Sequence, residues 1–100
     1  MERRLKIYVD IDGTICQTQG SDYENCVPIP EHIAKINKLF DEGHEIVYYT
    51  ARGQQSRHDY KMLTIKQLHD WNCKYTHLIM NHKPAYDLMI CDKTKRIEEI

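Results

Sequence analysis

Residues 5–14 read LKIYVDIDGT, a short apolar run that ends in two acidic residues and a glycine. The run over 5–9 alternates apolar and amphipathic residues, which is typical of a β-strand, and the glycine permits a sharp turn after it. Asp10 and Asp12 are separated by one residue, so their side chains can share a side while Ile11 points into the core. The stretch therefore predicts a strand whose carboxyl end carries two carboxylates.

Outward from this strand, short apolar runs alternate with helical patterns. Apolar residues recur at helical spacing over about 30–42, and Gly43 supplies the stop. A second helix is predicted to start at Ser56, with Asp59 completing a box-like cap. Its predicted buried stripe consists of Met62, Ile65 and Leu68.

The remaining runs predict three more strands, over 45–50, 76–80 and 88–91, and a short closing helix over 94–100. The polar stretch 14–28 lacks a period and is predicted to be a loop or small flap. The strands are hydrophobic on both faces, as buried parallel strands are.

Alternation of strands and helices predicts an α/β fold with an open, doubly wound parallel sheet, a Rossmann-like core of three layers. One hundred residues suffice for a single domain, over 1–100, with no cap. Such sheets bind ligands beyond the carboxyl ends of their strands, near the point where strand order reverses.

Charge and composition argue against several classes of protein. Fourteen basic against fifteen acidic residues leave a net charge of -1, without the basic field that nucleic-acid or anionic-membrane binding requires. No apolar run approaches the ~20 residues of a membrane span, and no secretory segment opens the chain, so we expect a cytoplasmic protein. Four cysteines without CxxC spacing and six single histidines predict reduced thiols and no zinc site.

Polar residues follow each predicted strand at the edge where ligands bind. Asp10 and Asp12 follow the first strand, Thr50 ends the second, Lys83 follows the third and Asp92 the fourth. Clustered carboxylates need a compensating cation, and oxygen ligands favour Mg²⁺. A hydroxyl and an ammonium facing that ion are suited to holding a phosphoryl group.

These residues resemble the four motifs of the haloacid dehalogenase superfamily of aspartyl-phosphate phosphohydrolases. The motifs are Val9-Asp10-Ile11-Asp12-Gly13-Thr14, Val47-Tyr48-Tyr49-Thr50, Lys83-Pro84 and Met89-Ile90-Cys91-Asp92. Length and the stretch 22–53 are also similar to small capless bacterial members associated with capsule or surface-polysaccharide biosynthesis.

The resemblance implies a role for each acidic residue. Asp10 attacks phosphorus and becomes a phosphoaspartate. Asp12 protonates the departing oxygen and later deprotonates the attacking water. Mg²⁺ is held by Asp10, by Asp12 through its backbone carbonyl, and by Asp92. Motif four departs from the family pattern, because Cys91 and Lys93 flank Asp92 where many relatives carry a second acidic residue, so Asp92 alone supplies that ligand.

The phosphoryl group is expected to be bound by the Thr50 hydroxyl, the Lys83 ammonium and the backbone amides of Gly13 and Ala51. Arg52 is either a substrate contact or a surface charge. The partner is a phosphorylated small molecule, favoured to be a sugar phosphate. Because a capless site has only its flap or a neighbouring subunit to exclude water, a homo-oligomer is also expected.

Two other functions remain open. A phosphoacceptor domain of the receiver type also combines Asp, Thr, Lys and Mg²⁺, but receivers place the lysine last, whereas Lys83 precedes Asp92 here. A non-catalytic relative that binds a phosphorylated ligand is the second alternative, because the fourth motif is incomplete.

Overall fold

The described part of the chain forms a four-stranded parallel sheet with two helices packed against it and a small flap. This computed structural model describes residues 4–53 and 59–80, and the backbone of 88–90. Lys83, Asp92 and the closing helix predicted over 94–100 lie outside the described residues.

The elements follow the predicted alternation. In chain order they are β1 (Lys6–Asp10), β2 (Cys16–Gln17), a 3₁₀ turn (Tyr23–Asn25), β3 (Val27–Pro28), α1 (Pro30–Asp41), β4 (Glu45–Thr50), α2 (Lys61–Asp70), β5 (His77–Met80) and β6 (Leu88–Ile90). The main sheet has the order β5-β4-β1-β6, and every neighbouring pair is parallel. The predicted parallel α/β sheet is therefore confirmed.

Strand β1 lies where the chain reverses its direction across the sheet. From β1 the chain proceeds through β4 to the β5 edge, and β6 then returns to the other side of β1. The carboxyl end of β1, which carries Asp10, is therefore placed where such sheets bind ligands. Asp10 pairs with Tyr49, so Thr50 ends the neighbouring strand one residue further along.

The central strands are buried on both faces. Ile7 and Val9 of β1 are at most 1% exposed and pack in one core cluster with Ile33 of α1 and Leu68 of α2. Tyr8, whose side chain points to the opposite face, is 3% exposed. Both described helices contribute to the same cluster and thus lie on one face of the sheet, and none of the helices in the described part of the chain is long and apolar enough to cross a membrane.

The flap predicted over 14–28 is a short β-ribbon. Strands β2 and β3 are antiparallel, with Cys16 opposite Pro28 and Gln17 opposite Val27. The ribbon is tied to the residue that precedes α1, because the Ile29 amide donates to the Ile15 carbonyl at 2.8 Å. The flap is thereby fixed beside the carboxyl end of β1.

Helix α1 ends as its sequence predicts. Its buried face is formed by Ile33 and Ile36, and Gly43 follows the last turn with φ +100°. The Gly43 amide donates to the Phe40 carbonyl at 3.0 Å, which closes the helix end.

Replacing Gly43 by alanine is expected to lower the free energy of unfolding by about 1–2 kcal/mol, measured by urea denaturation. A Cβ at Gly43 meets nothing within 4 Å, so the cost is the positive φ alone. Gly20→Ala tests the same cause at a second position, since Gly20 also has a positive φ, +57°, and nothing within 4 Å of an added Cβ, so we expect a loss in the same direction. Equal stability of Gly43→Ala and the wild type would contradict this assignment.

Helix α2 differs from its prediction in two respects. It begins at Lys61 rather than at Ser56, and Asp59 instead accepts the Lys61 amide at 3.0 Å in the preceding turn. The predicted buried stripe is wrong at Met62, which is 73% exposed, whereas Leu68 is buried as predicted and Ile65 is half-buried. The buried residues of the helix are Thr64, Gln67 and Leu68. Thr64 and Gln67 point inward because they face the buried side chain of Arg52.

Candidate functional site

The turn after β1 is held by backbone hydrogen bonds. The Thr14 and Ile15 amides donate to the Ile11 carbonyl at 3.1 and 3.0 Å, and the Ile11 side chain is fully buried, as predicted. Gly13 has φ +86°, which confirms its predicted role in the turn. Its amide donates to the Cys16 carbonyl at 2.9 Å, so this donor, expected to bind phosphate, is engaged by the flap.

Asp10 ends β1 at the carboxyl edge of the sheet. Its Oδ1 accepts the Ile11 amide at 2.9 Å, which orients the carboxylate at the start of the turn. The side chain is half-buried and lies where the order of the strands in the sheet reverses. A carboxylate held this way is suited to act as a nucleophile or as a hard metal ligand.

Asp12 is paired with Arg52 in a two-pronged contact. The Nε of Arg52 donates to Oδ2 at 2.9 Å and Nη2 donates to Oδ1 at 2.8 Å. Thr18 of the flap adds a hydroxyl donor to Oδ1 at 2.6 Å. The Arg52 side chain is fully buried, whereas 24% of the Asp12 side chain is exposed. Arg52 and Thr18 thus fix the Asp12 carboxylate, while part of the Asp12 side chain stays open to solvent.

This environment favours the ionised form of Asp12. Burial acts to raise the pKa of Asp12, but the hydrogen bonds from Arg52 and Thr18 and the charge of Arg52 outweigh it and lower the pKa below the ordinary value of 3.8. Burial likewise acts to lower the pKa of Arg52, and the Asp12 carboxylate reverses that effect and raises it. Both partners are therefore charged near neutral pH.

The guanidinium of Arg52 is enclosed by protein groups on its other sides. Its Nη1 donates to Thr64 Oγ1 at 3.2 Å and to Gln67 Oε1 at 2.5 Å. The ring of Tyr23, in the flap, lies 4.8 Å from the guanidinium carbon, within the range of a cation–π contact. Arg52 is 1% exposed, so the alternative of a surface charge is wrong, whereas its contact with a substrate stays a prediction.

Two cysteines of the flap join Asp12. The Sγ atoms of Cys16 and Cys26 and one Asp12 oxygen lie within 4.8 Å of one another, a group that sequence spacing did not reveal. Burial and the Asp12 charge raise the pKa of Cys16, which keeps this thiol protonated. Arg52 Nη2 contacts both Asp12 and Cys26 Sγ, the latter at 3.5 Å, so a cation already occupies this side of the group. The cysteines among the described residues, Cys16, Cys26 and Cys73, are free thiols, as predicted.

Thr50 ends β4 with its hydroxyl at the site edge. Its Oγ1 accepts the Arg52 amide at 3.1 Å, which leaves the hydroxyl hydrogen to be donated elsewhere. The side chain is 1% exposed, whereas the adjacent Ala51 is exposed. The buried Thr50 hydroxyl therefore has a hydrogen to donate, and it lies beside the exposed Ala51.

The described part of the site brings Asp10, Asp12, Thr50 and Arg52 together at the carboxyl ends of β1 and β4. The residues that the sequence analysis missed are Thr18, Tyr23, Thr64 and Gln67. Thr64 and Gln67 are three residues apart, so they lie on one face of α2. This spacing would have identified them as neighbours if that face of the helix had been predicted to be buried.

Comparison with known proteins identifies a fold but no activity. No family model matches the chain, and no curated protein matches it. A crystal structure described as an MCSG target from Vibrio cholerae is similar, with 28% sequence identity and a TM-score of 0.67 over 81% of this chain and 72% of that one. The chain is a small α/β protein with a parallel sheet.

Proposed function

We propose that the chain is a Mg²⁺-dependent phosphatase that hydrolyses a phosphomonoester through an aspartyl-phosphate on Asp10. The observation that carries this proposal is the placement of Asp10, Asp12 and Thr50 at the carboxyl ends of adjacent parallel strands, in the order of the haloacid dehalogenase motifs. Lys83 and Asp92, which lie outside the described residues, supply the third motif and the single acidic residue of the fourth. We favour a sugar phosphate as the substrate.

A doubly wound core of the haloacid dehalogenase type is the fold that we propose for the whole chain. The described helices cover one face of the sheet, yet Tyr8 and Val47 on the opposite face are 3% and 1% exposed. Side chains buried on that face require a second covering layer. The closing helix predicted over 94–100 is our candidate for that layer.

Asp10 supplies an oxygen ligand of the type that Mg²⁺ prefers, and the cation would polarise the phosphoryl group when bound. The Asp12 carboxylate accepts two Arg52 donors and one Thr18 donor, so it fits an acid–base role better than direct coordination. Asp12 would therefore contribute its backbone carbonyl to the ion, as the family resemblance implies.

In the second half-reaction, the ionised Asp12 accepts a proton from the water that attacks the phosphoaspartate. The Arg52 pairing supports this base role by position, because its two hydrogen bonds orient the Asp12 carboxylate. The same pairing makes the protonated form a stronger acid but a scarcer one.

The test is a panel of phosphomonoesters, with sugar phosphates and p-nitrophenyl phosphate, assayed for phosphate release with Mg²⁺ and with EDTA. We expect turnover with Mg²⁺, its loss with EDTA and its recovery when Mg²⁺ is restored. Binding of phosphorylated compounds without release would support the non-catalytic alternative. A long-lived phosphoprotein without turnover would support the receiver alternative, and either result contradicts a phosphatase.

A further inference from the structure

Gln67 uses the two ends of its side-chain amide in opposite directions. Its Oε1 accepts from Arg52 Nη1 at 2.5 Å. Its Nε2 donates to the Tyr23 carbonyl at 2.6 Å and contacts Cys26 Sγ at 3.3 Å. Because arginine offers only donors and a backbone carbonyl only accepts, the orientation of this amide is dictated by its two partners.

The two partners belong to different parts of the site. Arg52 holds Asp12, whereas Tyr23 and Cys26 belong to the flap. The Tyr23 ring lies over the guanidinium and also packs edge-to-face against Tyr60 at 4.9 Å, directly before α2. Gln67 thus bonds directly to the flap and is linked through Arg52 to the Asp12 carboxylate, in addition to the hydrogen bond that Thr18 of the flap donates to Asp12.

Thr64 provides a contrast within the same helix. Its Oγ1 also accepts from Arg52 Nη1, at 3.2 Å, and its own hydroxyl donates to the Tyr60 carbonyl at 2.8 Å. It therefore supports the guanidinium without bonding to the flap. Gln67 is 9% exposed and Thr64 1% exposed, so water replaces neither contact readily.

We propose that Gln67 is a positioning residue that couples the flap to the acid–base carboxylate. By fixing the rotation of the Arg52 guanidinium, it sets the orientation of Asp12, and through the Tyr23 carbonyl it sets the height of the flap above the same carboxylate. A displacement of the flap is then transmitted to Asp12. The kinetic part of this inference rests on the proposed function, whereas the structural part does not.

Three substitutions separate the two arms of Gln67, which are its hydrogen bond with Arg52 and its hydrogen bond with the Tyr23 carbonyl. Gln67→Met removes both, Gln67→Glu keeps an acceptor for Arg52 but loses the donor to Tyr23, and Thr64→Val weakens only the Arg52 arm. Lys66→Ala is the matched control on the same helix, because Lys66 pairs only with exposed Asp70 among the contacts described.

Each variant is measured by hydrogen exchange of the flap amides over 15–28 and by kcat and KM for p-nitrophenyl phosphate with Mg²⁺. In Gln67→Met we expect flap exchange about tenfold faster and kcat about tenfold lower. Gln67→Glu is expected to accelerate flap exchange similarly with a smaller fall in kcat. Thr64→Val is expected to lower kcat with flap exchange unchanged, and Lys66→Ala to match the wild type in both.

Unchanged flap exchange in both Gln67 variants would overturn the coupling, as would a kcat of Gln67→Met within about twofold of the wild type. Gln67→Glu keeps a polar group in place and tests the flap arm if Gln67→Met does not fold. A wild type without turnover contradicts the proposed function alone, because the exchange data still decide whether Gln67 holds the flap.

Discussion

Asp10→Asn is expected to reduce phosphomonoester turnover by about a thousandfold or more, because a neutral amide cannot replace the attacking carboxylate. The substitution also removes the charge with which Asp10 would hold Mg²⁺. The fold should survive, since an asparagine Oδ1 can keep the hydrogen bond that the Ile11 amide donates at 2.9 Å. Steady-state phosphate release, with circular dichroism as the folding check, measures both halves of this prediction.

Asp41→Asn is the matched control for the loss of one carboxylate. Asp41 is 56% exposed and pairs with Lys74 at the end of α1. We expect wild-type turnover in this variant. Turnover at the wild-type rate in Asp10→Asn would show that another group attacks phosphorus.

Arg52→Met is expected to lower the free energy of unfolding by about 3 kcal/mol, the low end for breaking a buried ion pair. The low end applies because 24% of the Asp12 side chain reaches solvent, which softens the cost of leaving it unpaired. Thr64 and Gln67 also lose a donor, and the Tyr23 ring loses its cation. Denaturant unfolding measures the loss, and turnover should fall as well because Asp12 is no longer held.

The acid dependence of stability provides a second measurement on the same pair. The pKa of Asp12 is lowered by folding, so its pairing contributes fully above the ordinary value of 3.8. That contribution is lost as the pH falls below 3.8 through the folded-state pKa. The stability difference between wild type and Arg52→Met should therefore be constant near neutral pH and should narrow in acid.

Lys74→Met is the matched control for a cation-to-methionine change. Lys74 Nζ donates to both oxygens of Asp41 at 2.9 and 3.1 Å, distances close to those of the Arg52 pair. Both side chains are at least half exposed, so we expect a loss of at most about 1 kcal/mol. Equal losses in the two variants would show that burial of the Arg52 pair does not matter. A double-mutant cycle with Asp12→Asn gives the coupling energy of the pair directly.

The sequence predicted the elements whose signals are local. Strand β1 and helix α1 follow from hydrophobic periodicity, the stop follows from the glycine at position 43, and the parallel pairing of the strands follows from the alternation of strands and helices. The placement of Asp10 and Thr50 at one edge also followed, because parallel strands end on the same side. These features depend on a few neighbouring residues each.

The inward face of α2 could not be predicted in the same way. Counting apolar residues at helical spacing selected Met62, yet the helix turns Thr64 and Gln67 to the core because Arg52 is buried there. The burial of Arg52 depends in turn on Asp12, forty residues away in the chain. A polar network across such distances leaves no periodic signal.

The formation of a phosphoaspartate is the central claim, and trapping it is its most direct test. Protein mixed with a turned-over phosphomonoester and Mg²⁺ is quenched in acid, and its peptides are analysed by mass spectrometry. We predict one phosphoryl group on Asp10 that appears and decays at rates compatible with kcat. Turnover with no phosphoryl group on Asp10 at any quench time, or with the group on another residue, would contradict the claim.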